Sequence, residues 1–203
     1  MRNLEELNKV IGVENISDSL TEAINNLAND KKWRVRMTVI DYSIIMAKIM
    51  GEKLFQEKFG DLCLSWLDDD VYAIREAALK NLKEITAILG SKWAEKYVLP
   101  KLFAYQTHSN YLFRINPLFA ISFIAPLLSQ EALEEKVMPF LLNQVTDKVP
   151  NIRFNVGKCL KVMIPLIKSE SLKSAAMKGL TQLGSDLDFD VRYFSAKSET
   201  ISK

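Results

Sequence analysis

Five arginines, Arg36, Arg75, Arg114, Arg153 and Arg192, follow one another at intervals of 39 residues. The residue before each is apolar: Val35, Ile74, Phe113, Ile152 and Val191. Three before each stand Trp33, Tyr72, Tyr111, Pro150 and Phe189, and six before each stand Asp30, Asp69, His108, Asp147 and Asp186. Columns kept in register over five copies make this a tandem repeat. Its period falls beside those of the helical-hairpin repeats, whose units bury their apolar faces by stacking on one another. The expectation is an all-α fold, a right-handed α-solenoid of antiparallel helical hairpins.

Glycines punctuate the same frame. Gly12, Gly51 and Gly90 are again 39 apart and each follows an apolar helical run, the expected place for a glycine helix stop. Residues 1–12 therefore read as the end of a truncated repeat, so that the chain starts mid-repeat. Five repeats follow at about 15–51, 52–90, 91–129, 130–168 and 169–203, all in one solenoid over 1–203. Each first helix carries one member of an apolar column, Ile24, Cys63, Leu102, Leu141 and Leu180, and each second helix begins near its arginine. Pro100 and Pro139 fall inside predicted first helices, and Pro126 and Pro165 inside predicted second helices. There a proline removes a backbone hydrogen bond and bends the axis. The polar run from Ser195 onward suits a solvent-facing cap at the C-terminus.

Composition excludes more than it selects. Twenty-seven basic against 25 acidic residues give a net charge of +2, which argues against a nucleic-acid partner, since such proteins carry a basic stripe. The two cysteines, Cys63 and Cys159, are too few and too far apart for a disulfide framework, and a reducing compartment follows. The N-terminus lacks the apolar core of a signal peptide. The most apolar segment, Ile115 to Leu128, is interrupted by Pro117 and Pro126 and is too short to span a bilayer. A soluble protein of the cytoplasm, with the nucleus also open, is expected, with no membrane partner.

Catalysis finds no support. His108 is the one histidine, and neither cysteine has metal-ligand spacing. No glycine loop suited to phosphate occurs. The chain is expected not to be an enzyme, with no catalytic residue, no metal, no cofactor and no small-molecule substrate.

An arginine in the first turn of a helix stands near the positive end of the helix dipole, where a cation is disfavoured. It needs acceptors, and the aspartate six residues earlier is the nearest candidate; a guanidinium can also bridge to the next repeat. Asp30, Arg36, Asp69, Arg75, Asp147, Arg153, Asp186 and Arg192 thus form a structural ladder. His108 breaks the acid column, so Arg114 should be held differently and be the arginine freest for a partner. The aromatic column has two readings: a staple packed on the first helical turn, or a ridge of exposed contact anchors. Lys32, Trp33 and Arg34 together look more like a contact.

The Asp column, the apolar–Arg pair and the first-helix proline resemble the HEAT motif. Lys32-Trp-Arg-Val-Arg, Trp66-Leu with Val71-Tyr-Ala-Ile-Arg-Glu-Ala-Ala, Asn110-Tyr-Leu-Phe-Arg and Asn151-Ile-Arg-Phe-Asn-Val resemble the C-terminal repeats of the scaffold (A) subunit of protein phosphatase 2A. Val10-Ile-Gly-Val and Asp190-Val-Arg-Tyr-Phe keep the same register. The resemblance implies a non-catalytic scaffold that grips a serine/threonine phosphatase catalytic subunit through its turns. The regulatory subunit would bind repeats missing here. Matched turn by turn, it implies contacts at Trp33, Arg34, Tyr72, Tyr111, Arg114, Val149, Pro150 and Asn151, with Lys32 and Asn110 weaker. His108 departs from the aspartate usual in that family. The rival is a transport or cargo adaptor holding a peptide in a concave face, which needs an acidic or asparagine-rich inner surface that the sequence does not display.

Overall fold

A computed structural model describes residues 18–196. The Gly12 stop, the truncated first repeat and the C-terminal run beyond Ala196 lie outside the described residues; Ser195, where the expected solvent-facing cap begins, is buried. Those described form helices joined by short turns, and no strand occurs among them. The chain divides between Tyr97 and Val98 into two compact units.

In the first unit, α1 (Asp18–Ala28) and α2 (Trp33–Phe55) are joined by a turn. Inside α2 the backbone breaks at Gly51, with φ 68°. A π-helical turn (Gln56–Gly60), α3 (Asp61–Ser65) and a 3-10 turn (Trp66–Asp68) lead to α4 (Tyr72–Leu89). Gly90 stops α4 with φ 92°, and the short α5 (Ser91–Trp93) follows. Both glycines adopt backbone angles that a side chain resists, so the stops read from the sequence at 51 and 90 are real.

Packing follows the apolar faces. Helix α2 lies along both α1 and α4, and α3 packs on α4. Val39, Ile40 and Ala47 of α2 and Ile74, Ala78, Leu82 and Ile85 of α4 are all buried. Phe55, Phe59 and Trp93 form a ring cluster, with centroids 6.2 and 6.4 Å from that of Phe55. The buried indole needs an acceptor; Trp93 Nε1 donates to Gln56 Oε1 at 2.9 Å.

The second unit comprises α6 (Leu99–Ala104), α7 (Tyr111–Ile124), α8 (Gln130–Ala132), α9 (Met138–Asn143), α10 (Pro150–Met163), α11 (Glu170–Gly184) and α12 (Phe189–Ser195). Helix α10 packs against α7 and α12, while α6 packs on α7, α9 on α10 and α11, and α11 on α12. Leu102, Leu141 and Leu180 of the apolar column are buried here, as Cys63 is in the first unit; Ile24 is half-buried.

One buried polar link recurs with different chemistry. Asn81 Nδ2 donates to Ile40 O at 2.6 Å, 41 residues back, and Asn81 Oδ1 accepts from Ser43 at 2.9 Å. In the second unit Cys159 Sγ lies 3.1 Å from Leu118 O, also 41 residues back, and 3.0 Å from Ser122 Oγ. Helix α4 is thereby tied to a carbonyl of α2, and α10 to one of α7, inside the core. Burial pushes both the Cys159 and the Cys63 thiols up to about 12.

The prolines act differently from expectation. Pro126 and Pro165 do not bend second helices; α7 ends at Ile124 and α10 at Met163, just short of them. The residues before them, Ala125 (φ −49°, ψ −42°) and Ile164 (φ −49°, ψ −47°), still hold helical angles, so it is the N–H that proline lacks, together with its ring, that ends the α-helical ladder there. Pro100 and Pro139 follow π-helical turns at 94–98 and 133–137. The same turn at 56–60 precedes Asp61, so the widened turn belongs to the repeat and the proline merely tolerates it.

Candidate functional site

The predicted site residues gather at the turns that precede α2, α4, α7, α10 and α12. Each turn is closed in one way. The side chain of its first residue accepts the backbone N–H two residues on: Lys32 N to Asp30 Oδ1 at 2.7 Å, Val71 N to Asp69 Oδ1 at 2.8 Å, Val149 N to Asp147 Oδ1 at 2.8 Å, and Asp188 N to Asp186 Oδ1 at 2.9 Å. Aspartate at this position mimics a turn of backbone. His108 does the same work, accepting from Asn110 N through Nδ1 at 3.1 Å. The sequence treats His108 as a break; the turn keeps its shape because an unprotonated imidazole nitrogen is also an acceptor.

Two of the arginines, Arg36 and Arg153, read two places at once. Nη1 of Arg36, Arg75, Arg153 and Arg192 donates to the carbonyl oxygen six residues earlier, at 2.6, 2.7, 2.8 and 2.7 Å. So it is the backbone of the preceding aspartate, and not its carboxylate, that receives the arginine. The carboxylate partner lies one repeat on. Arg36 grips Asp69 through Nε and Nη2 at 2.7 and 2.8 Å, and Arg153 grips Asp186 at 2.7 and 2.8 Å. Such forked pairs are the strong class of ion pair. The bond to Asp69 raises the Arg36 pKa, and the Arg153–Asp186 bond raises the arginine and holds the Asp186 carboxyl below its ordinary value.

Arg114 corrects one expectation. It is not free: Nη1 and Nη2 donate to Asp147 at 2.8 and 3.3 Å, and its side chain is 11% exposed. The acid that holds an arginine comes from the following turn, so His108 in its own turn does not release it. Its Nε has no hydrogen-bond partner.

The other predicted contact residues are half-buried or exposed. Tyr72 is 66% exposed, with the Arg75 guanidinium 5.6 Å from its ring centre. Trp33 is half-buried and Arg34, exposed, stacks on it at 4.6 Å. Tyr111, Val149 and Pro150 are half-buried; Asn151, Lys32 and Asn110 are exposed. Leu112, Leu187 and Phe189, at 52%, 99% and 69% exposed, were not singled out as contacts, although Phe189 stands in the aromatic column. Among the described residues no group of His, Cys, Asp and Glu could hold a metal ion, and no helix is long and apolar enough to cross a membrane.

Residues 50–184, two thirds of the chain, match the family described as PIK3R4-like, middle domain. The chain belongs to that family. As a PIK3R4-like middle domain, it is similar in structure to the crystal structure of Cex1p, with a TM-score of 0.58 at 17% identity over 87% of this chain. It spans 34% of the Cex1p chain. A crystallised engineered protein is similar at a TM-score of 0.50 and 13% identity, over 86% of this chain and 76% of that one. At such identities the likeness is one of fold, a helical repeat-like fold. No curated protein sequence matches.

The resemblance to the phosphatase 2A scaffold subunit is therefore corrected: the family match is to the PIK3R4-like middle domain, and the structural neighbour is Cex1p. The shared turn residues misled for a physical reason. The aspartate closes the turn and the arginine ties it to the next repeat, so a repeat of this geometry selects both whatever it binds.

Proposed function

We propose that this PIK3R4-like middle domain is a non-catalytic scaffold, a right-handed solenoid of antiparallel helical hairpins that holds a folded protein partner against its turns. The observation that carries this is a division of labour within each turn. Arg36, Arg114 and Arg153, with Asp69, Asp147 and Asp186, are consumed by structure, whereas none of Trp33, Tyr72, Tyr111, Pro150 and Phe189 is buried. Tyrosine and tryptophan beside arginine are the side chains that most often dominate protein interfaces. Trp33–Arg34 and Tyr72–Arg75 supply such pairs ready-stacked, which lowers the ordering cost of binding. A cytoplasmic protein without small-molecule substrate or nucleic-acid partner is the setting this reading supposes.

The turns support a folded protein partner without selecting one. A serine/threonine phosphatase catalytic subunit is one candidate, and it serves as one probe. Photo-crosslinking residues placed at Tyr72 and Trp33, and at Lys178 as a control, should capture a partner from the two turns and not from the control. Trp33→Ala with Tyr72→Ala should abolish capture at unchanged helicity and melting. Capture from Lys178 alone, or undiminished binding by the folded double variant, would overturn the turn reading. Failure of the phosphatase probe with capture of another protein at Tyr72 would keep the reading and remove that candidate.

A further inference from the structure

The most apolar stretch of the chain, Ile115 to Leu128, is not absorbed by the turns. In α7, Leu112, Ile115, Phe119 and Phe123 recur at helical spacing and share one stripe. Leu112 is 52% exposed, Phe119 38% and Phe123 37%, and Ile115 is half-buried. The core face of the same helix is another set, Leu118, Ile121 and Ile124, all fully buried. Helix α7 is thus apolar on the face it shows as well as the face it buries.

The repeat does not require this. At the four equivalent places α4 carries Ala73, Glu76, Lys80 and Glu84, with Lys80 and Glu76 ion-paired at 2.8 Å. Helix α10, which packs beside α7, has Lys158 and Val162 where α7 has the two phenylalanines. At the place of Phe119 stand Asp41 in α2, Lys80 in α4 and Lys158 in α10, so a phenylalanine there answers to something other than folding; at the place of Phe123 the repeat takes Glu84 in α4 but the apolar Ile45 and Val162 in α2 and α10.

We infer that this stripe docks an amphipathic helix of a partner protein, apolar along one side and acidic beside it. The stripe runs about 16 Å at 1.5 Å per residue, the length of three turns of a bound helix. Its spacing is that of anchors laid along a helix in a groove. Charge sets the flank. Neither α7 nor α10 contains an Asp or Glu. Lys158 stands exposed, its ammonium 3.9 Å from the Phe194 ring centre and 4.8 Å from that of Phe154. Lys158 is the one exposed cation on α7 and α10, and it sits on the helix packed against α7, which suits a carboxylate at the edge of a hydrophobic contact. A nucleic acid or an anionic bilayer would call for several exposed cations, which this face lacks.

The test uses the full chain and a labelled helical peptide of roughly four turns, leucine along one stripe and glutamate elsewhere, with a companion in which lysine replaces glutamate. The glutamate peptide should bind, and Phe119→Lys with Phe123→Glu, the residues α4 bears, should weaken it by about 30-fold. Lys158→Glu should weaken it about tenfold and favour the lysine peptide. Trp33→Ala with Tyr72→Ala should leave it unchanged, so this inference and the turn reading fail separately. A photo-reactive leucine in the peptide must mark α7 and α10 of the unmutated chain, which keeps the test sound even if a variant unfolds. Crosslinks elsewhere, equal affinity for both peptides, or undiminished binding by the double variant would overturn it. So would self-association that the double variant abolishes, which makes the occupant a second copy. Binding to phosphatidylserine vesicles without peptide binding, lost in the double variant, would reassign the stripe to a lipid surface.

Discussion

Arg153 and Asp186 stand 33 residues apart and meet through two hydrogen bonds of 2.7 and 2.8 Å, each side chain largely withdrawn from solvent. The same spacing joins Arg36 to Asp69 and Arg114 to Asp147. The ladder is therefore a bond between consecutive turns.

Breaking one rung should be costly. Arg153→Met leaves Asp186 without its partner while sparing the aliphatic packing, and a hydrogen bond to a charged group is worth about 1.5–3 kcal/mol. Urea denaturation should show a loss of that order. A double-mutant cycle with Asp186→Asn should show strong coupling, and additive losses would mean that the pair is not a unit.

The same rung fixes a pH dependence. The Asp186 carboxyl is held below its ordinary value, chiefly by the hydrogen bond from Arg153. An acid with a depressed folded pKa contributes stability that is fully present above its unfolded value and fades as pH falls through the folded one. Glu134 behaves alike, because the backbone N–H groups of Ser169 and Lys168 donate to it. Unfolding free energy should thus fall on acidification below about pH 4, the ordinary carboxylate range. Asp186→Asn, less stable at neutral pH, should show a shallower fall, and parallel curves would refute the assignment.

Thiol chemistry offers a clean probe of the core. With Cys63 and Cys159 buried and their thiols pushed up to about 12, too little thiolate exists near neutrality for attack. Ellman's reagent should find no reactive thiol in the folded chain at pH 8 and two in denaturant. A fast native-state reaction would show an open core.

Gly90→Ala should destabilise by about 1–3 kcal/mol, the cost of holding a side chain in sparsely populated backbone space. An added Cβ there meets nothing within 4 Å, so the loss measures the φ of 92° alone. A melting temperature equal to that of the unmodified chain would show that the helix stop does not need glycine.

What the sequence disclosed was whatever the repeat forces on every copy. The helical class, the stops at Gly51 and Gly90 and the inward column of Leu102 and Leu141 are each set by periodicity or by one residue's backbone freedom, and all appear in the structure. Arg114 was misread because its partner, Asp147, is reached only across the stack, and sequence distance hides that step. His108 was misread because a substitution of residue type preserved the function of accepting one N–H. The kinship was misread where turn residues dictated by geometry were taken as marks of a particular partner. The exposed side of α7 was overlooked because Phe119 and Phe123 look like core until the face they occupy is known.

Asp147 Oδ1 accepts both the N–H of Val149 in its own turn and Nη2 of Arg114 from the turn before. One oxygen therefore reports on two scales. The Val149 amide, an ordinary local group, becomes a gauge of whether the neighbouring repeat is seated, and its hydrogen exchange should quicken when Arg114 lets go. A pull applied at one turn would register in the exchange rates of the next, which makes the row of turn amides a built-in strain meter for the ladder.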